Sequence, residues 1–151
     1  MRIKGKLIFT WICLLFALAP SSCAAPRPLG LPFSVSQVEK IELYRFVIPA
    51  QARKKTISEA GGIQWIYGVL AEAEAADNTL EPESGAQVTS FRFCLSGGSS
   101  CESAYISHEG KTGELKGKNI NYQTAEDVSR LWDGFSDEEE TPASVSELPA
   151  I

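Results

Sequence analysis

The stretch that decides the fold runs from Val88 to His108 and reads VTSFRFCLSGGSSCESAYISH. Two runs rich in β-branched and aromatic residues flank a cluster of glycine and serine, which is the pattern of a β-hairpin. If Gly97 and Gly98 form a two-residue turn, Cys94 lies directly opposite Cys101. Opposed Cα atoms of antiparallel strands are about 4.5–5.5 Å apart, within reach of a disulfide. The sequence therefore predicts a Cys94–Cys101 disulfide, which we interpret as a structural bridge because no C-x-x-C motif marks a redox pair.

Working outward from this hairpin, alternating and helical patterns predict the remaining elements. VEKIELYRFVI (38–48) and ARKKTI (52–57) predict two strands, and GELKGKNINYQ (113–123) predicts the third strand of a meander with the hairpin. SEAGGIQWIYGVLAEAEAA (58–76), with Ser58 as N-cap, and AEDVSRLWDGF (125–135) predict helices. The expected fold class is α+β: a single antiparallel sheet in the order β-β-α-β-β-β-α, with two helices packed on one face.

The N-terminus has the parts of an export signal. Arg2, Lys4 and Lys6 precede an apolar run from Leu7 to Ala19, and Pro20 follows it. As a helix this run spans roughly 20 Å, short of a hydrocarbon core of about 30 Å. The pattern therefore predicts a secretory signal peptide rather than a permanent membrane span.

The sequence PSSCAA (20–25) resembles the lipobox of bacterial lipoproteins. In that family a leucine, two small residues and a cysteine are recognised, and the cysteine receives diacylglycerol. The resemblance implies that Ser21 and Ser22 are the small pair and that Cys23 is the site of lipid attachment, although Pro20 stands where leucine is usual. The alternative is ordinary cleavage after Ala24, which would release the chain as a soluble exported domain.

These signals divide the chain into four parts. Residues 1–22 are the predicted signal peptide, and 23–34 a proline-rich tether. Residues 35–135 form the predicted single α+β domain, and 136–151 a disordered acidic tail. The expected location is the cell envelope, lipid-anchored on the extracytoplasmic side of a bacterial membrane, or secreted if Cys23 is removed.

Charge and motif content limit the function classes. The formal net charge is −5 and the removable signal is basic, so the mature chain is poorly suited to a nucleic-acid backbone. His108 is the only histidine, and no phosphate-loop or nucleophile-elbow motif occurs. We therefore expect no metal and no cofactor.

Two hypotheses from different classes follow. The first is a lipid-anchored module that binds an unidentified ligand or an envelope protein, with the membrane as its other partner. The second is an extracytoplasmic enzyme that uses surface carboxylates such as Glu102, Glu109 and Glu114. The sequence favours the first, because any acidic surface supplies such carboxylates and no set of catalytic residues accompanies them.

The domain also resembles the YhfM-like α+β domain of small Gram-positive lipoproteins. The segments that carry the resemblance are VEKIELYRF (38–46), KKTISEAGGIQWIYGVL (54–70), TSFRFCL (89–95) and TAEDVSRLW (124–132). They are hydrophobic patterns, and the resemblance implies a fold and a location but no enzymatic activity.

Overall fold

The computed structural model describes residues 28–76, 85–106, 112–115 and 120–149. Most of the regular structure is strand. The strands are β1 (Val38–Phe46), β2 (Arg53–Ile57), β3 (Glu74–Ala76), β4 (Val88–Leu95), β5 (Ser100–Ile106), β6 (Thr112–Leu115), β7 (Ile120–Gln123) and β8 (Thr141–Pro142). The helices are α1 (Ala60–Ala71) and α2 (Arg130–Gly134), with 3₁₀ turns at Val35–Gln37, Pro49–Gln51 and Val145–Glu147.

The predicted fold class is wrong. The structure is mostly strand with few helices, and its strands form a five-stranded and a three-stranded sheet instead of a single sheet. Neighbouring strands pair in the order β3-β7-β6-β5-β4-β1-β2-β8. The second predicted helix shrinks to the five residues of α2, and the predicted third meander strand is instead the β6–β7 hairpin.

Strand β1 has buried side chains on both faces of the sheet, so helices on one face cannot cover them all. Ile41 and Leu43 face the main core as their alternation predicts, but Tyr44 on the opposite face is also fully buried. The sheet therefore has a second covered face. The small second cluster there consists of Tyr44, Phe46, Ala52, Val88 and Ala143, with Leu148 packed against it.

Helix α1 covers the main core, and glycine permits its close approach. It begins at Ala60 with Glu59 as N-cap, one residue after the predicted Ser58. A Cβ on Gly62 would lie 2.7 Å from the Ile57 Cγ2 and 2.8 Å from the Phe135 Cε1, so the backbone of α1 meets these side chains directly. The predicted helix stops early, because Glu74–Ala76 pairs with β7 as an edge strand.

The described residues of the predicted tether and of the predicted acidic tail are part of the folded unit. Leu29 and Phe33 of the predicted tether are buried in the main core, and Pro28 forms a bridge to Glu74. The predicted disorder of the acidic tail is wrong for residues 136–149, which form β8 and a 3₁₀ turn against the second face. The predicted signal peptide lies outside the described residues.

Candidate functional site

The two hairpin cysteines are thiols, and the predicted disulfide is wrong. In the β4–β5 ladder Cys94 pairs with Ser100, while Cys101 pairs with Phe93. Because successive side chains alternate between faces, this one-residue shift places the two cysteines on opposite faces. Cys101 packs against the main core with Phe93, whereas Cys94 points to the second face.

The turn between the strands causes the shift. The Leu95 amide donates to the Ser99 carbonyl at 2.8 Å, and the Gly98 amide donates to the Leu95 carbonyl at 3.1 Å. Gly97 and Gly98 both have positive φ values, of 95° and 81°, which glycine adopts readily. The connection is therefore longer than the two-residue turn that the sequence predicts, and the register moves by one residue.

Burial raises the pKa of the Cys94 thiol, and the carboxylate of Glu42 acts in the same direction. A raised pKa lowers the fraction of thiolate, which is the reactive form. The environment of Cys94 therefore does not favour a redox role.

The second face carries a polar network centred on Arg92. Its guanidinium lies 3.3 Å from the Glu42 carboxylate and 3.1 Å from that of Glu102, and donates to the Glu147 carbonyl at 2.7 Å. The Tyr44 hydroxyl donates to Glu42 at 2.9 Å and accepts from Arg92 at 3.1 Å. Every member has partners within the protein, so this network is a structural element and offers no group to a ligand.

The pKa values in this network follow from those contacts. Burial tends to raise the pKa of Glu42, but hydrogen bonds from Lys40 and Tyr44 outweigh it and leave this pKa below its ordinary value. Burial, followed by the bond to Glu42, raises the pKa of Tyr44. Glu42 is therefore ionised and Tyr44 is protonated at neutral pH.

The acidic C-terminal segment (residues 138–149) binds the basic strand β2. Arg53 pairs with Glu140 at 2.8 Å and Lys54 pairs with Glu147 at 2.8 Å. Lys55 is buried, and its ammonium donates to the backbone carbonyls of Trp132 and Phe135. The three consecutive cations of β2 are thus occupied by contacts within the chain.

We expect acid to weaken the attachment of this segment through Glu147. Bonds from the Lys54 ammonium and the Ser144 amide and hydroxyl lower the pKa of Glu147 from 4.5 to about 2. A lowered pKa in the folded state means that the stabilisation is fully present above the ordinary value and is lost as pH falls through the folded value. When the pH is lowered from about 6 to about 3, urea denaturation should show a smaller loss of stability for Glu147→Gln than for the wild type.

The control is Glu139→Gln, at an exposed carboxylate without an ion pair to any described residue. An unchanged pH dependence in Glu147→Gln would contradict this assignment.

In the part of the chain that the structure describes, the groove beside Trp65 combines open polar side chains with an exposed aromatic ring. It measures about 440 Å³ and is lined by Trp65, Ala125, Glu126, Asp127, Arg130 and Leu131. Helix α1 supplies the tryptophan, and the remainder comes from α2 and the segment that leads into it. Trp65 is 42% exposed, although it lies next to the apolar stripe of α1, so sequence periodicity gave no indication of this role.

Packing holds the Trp65 ring in place. Its centroid lies 5.3 Å from that of Phe135, at an interplanar angle of 47°. A Cβ on Gly134 would overlap the Trp65 Cη2, so the ring edge rests against a backbone without a side chain. The indole is therefore fixed on one side and open on the other.

The polar side chains of the groove differ in how far they are engaged. The Asp127 carboxylate accepts hydrogen bonds from the Ser129 amide at 2.9 Å and from its hydroxyl at 2.6 Å, which fixes the loop. Arg130 and Glu126 are exposed, and neither side chain has an ion pair or hydrogen bond with any described residue. Each of the other six described cations has an acidic or carbonyl partner: Lys40, Arg45, Arg53, Lys54, Lys55 and Arg92.

The structure does not bring the residues of the enzyme hypothesis together. Glu102 is engaged by Arg92, and the backbone of Glu114 pairs with Ala104 and Asn121 in the β5–β6–β7 ladder. His108, Glu109 and the predicted lipid site Cys23 lie outside the described residues.

Over the described ranges, no group of three or more acidic, histidine or cysteine side chains is arranged to hold a metal ion. Within the same ranges, no helix combines the length and apolar character needed to cross a bilayer.

Comparison with protein-family models, with curated proteins and with solved structures finds no match for this chain.

Proposed function

We propose that this chain is a lipid-anchored binding module on the extracytoplasmic side of a bacterial membrane, attached through Cys23. The basis is the N-terminal pattern: a basic tip, a short apolar run and a cysteine that follows two small residues. The resemblance of the domain to the YhfM-like domain of small Gram-positive lipoproteins points to the same location. The proposed partners are the membrane and an envelope component.

The point at which the chain joins the domain sets how far the domain could stand from an anchor at Cys23. Leu29 donates its amide to the Ala73 carbonyl at 2.8 Å, and its side chain is buried together with that of Phe33. Even when fully extended, the chain from Cys23 to Pro28 spans at most about 18 Å. A lipid on Cys23 therefore holds the domain close to the bilayer, with the β3 edge as the nearest surface.

Among the described residues, the surface nearest the anchor carries acidic side chains. Glu72 and Glu74 border a shallow groove of about 260 Å³ close to the Pro28 bridge. Acidic groups gain nothing from an anionic lipid surface, so these two side chains provide no electrostatic attachment. The proposed attachment is therefore through the acyl chains, and two chains are enough for stable binding.

The geometry supports a binding module better than an enzyme because the charged side chains of the Arg92 network are paired with one another. The Arg92 network satisfies its own charges, while the groove beside Trp65 presents one cation and two carboxylates on a rigid support. Concave surfaces with a few fixed polar groups are typical of ligand sites.

Membrane fractionation with a cysteine substitution tests the anchor. We expect wild-type protein to remain in the membrane fraction through a high-salt wash, because the attachment is hydrophobic. Cys23→Ser should release the protein or leave it unprocessed, and Cys13→Ser, within the signal, should behave as the wild type. Equal secretion of wild type and Cys23→Ser would overturn the proposal.

A further inference from the structure

We propose that the groove beside Trp65 binds a saccharide, with the pyranose ring stacked on the indole. The inference deepens the proposed function, since it names the ligand class of the anchored module. It rests on three features of the groove: a fixed and exposed aromatic face, charges of both signs, and the lack of protein partners for two of those charges.

The aromatic face meets the first requirement of sugar recognition. A pyranose ring has a patch of C–H groups that packs on an aromatic face, while its hydroxyl groups point outward. Trp65 provides such a face at 42% exposure, and Gly134 and Phe135 hold it in position. A ring that is already fixed loses little conformational entropy on binding.

The charges of the groove select a neutral ligand. A cationic ligand would meet Arg130, and an anionic ligand would meet the carboxylates of Glu126 and Asp127. A sugar hydroxyl can donate to a carboxylate and accept from a guanidinium, so a polyhydroxylated neutral ligand suits both signs. Apolar ligands would leave these groups without partners and desolvated, which is unfavourable.

The unengaged state of Arg130 distinguishes this groove from the rest of the described surface. The six other described cations are all satisfied within the protein, whereas Arg130 and Glu126 line the groove without a partner among the described residues. The volume of about 440 Å³ lies within the range of roughly 300–1,000 Å³ that is usual for small-ligand sites. The groove is therefore large enough for a short oligosaccharide.

Indole N–H resonances of the full exported chain, labelled with ¹⁵N-tryptophan, provide the test. Chitotetraose, cellotetraose and maltotetraose serve as separate probes. We expect at least one of them to shift the Trp65 resonance with a Kd of roughly 0.1–10 mM, which is common for single weak sites. Trp132 is buried, at 5% exposure, and its unshifted resonance is the internal control.

Two substitutions separate a binding role from a structural one. Arg130→Ala removes an exposed side chain and should weaken the binding read from the Trp65 resonance at least tenfold. Trp65→Ala removes the platform together with its resonance, so its binding is measured from the saturation-transfer signals of the sugar, which should also weaken at least tenfold. In both variants the Trp132 resonance should stay in place, as expected for an intact fold. Val145→Ala, at an exposed apolar residue outside the groove, should bind as the wild type. The proposal is overturned if no probe shifts Trp65 at roughly 10 mM, or if binding survives both substitutions. Neither result bears on the anchor, which fractionation tests separately.

Discussion

Removing residues 138–151 is expected to lower the free energy of unfolding by about 3–5 kcal/mol, because the second face of the sheet loses its cover. The deletion takes away Ala143 and Leu148, which pack on Tyr44, Phe46 and neighbouring apolar side chains. It also removes the backbone pairing of β8 with β2 and leaves Arg92 without the Glu147 carbonyl.

Urea denaturation of the truncated and full-length chains measures this loss. A chain that lacks only residues 150 and 151 is the matched control and should unfold like the wild type. If the longer deletion changed stability by less than about 0.5 kcal/mol, the C-terminal segment would be a surface tail, as its composition suggested, and its place in the fold would be wrong.

Gly62→Ala is expected to destabilise the domain by about 1–3 kcal/mol through overpacking. The new methyl group would lie under 3 Å from both Ile57 and Phe135, at 2.7 and 2.8 Å. Ile57 is fully buried and Phe135 packs against Trp65, so relief of these contacts requires packed side chains to shift.

Gly68→Ala in the same helix is the matched control, and its expected effect has the opposite sign. No atom lies within 4 Å of a Cβ at Gly68, so alanine should stabilise α1 by about 0.5–1 kcal/mol. Thermal unfolding of the two variants gives the comparison. Stabilisation by both substitutions would mean that α1 is not packed as closely on Ile57 as the structure has it.

The sequence predicted local elements well where the hydrophobic pattern was unambiguous. The strand from Val38, the β4–β5 hairpin and the helix that begins near Ser58 all occur, because each has a clear alternating or helical period. The disulfide prediction failed by one residue. The hydrogen bonds of a glycine turn decide the register, and the letters SGGSS are compatible with turns of several lengths.

The cover on the second face of the sheet was harder to predict from the sequence. The acidic C-terminal segment (residues 138–149) has the composition of a solvated tail, and its partners Arg53 and Lys54 lie far away along the chain. Composition cannot tell a solvated charge from a paired one, so the segment was expected to be disordered. One feature of the sequence did indicate this contact. The three consecutive cations of β2 need acidic or carbonyl partners if β2 is not an exposed edge strand of the sheet.

The candidate groove could not have been predicted from periodicity. Trp65 follows the apolar stripe of α1 closely enough to be taken for core, and only the tertiary contacts of Gly134 and Phe135 place it at the surface. Arg130 could not be predicted either. Its lack of an ion pair with any described residue is seen only when the structure shows that the other described cations are paired.

Mass spectrometry of the N-terminal peptide of the mature exported chain distinguishes a lipid-anchored domain from a secreted one. We expect a peptide that begins at Cys23 and carries the added mass of a diacylglyceryl group on its thiol. A mature chain that begins at Ala25, without modification, would contradict this expectation, because the anchor would then be absent and the domain would be a soluble exported protein.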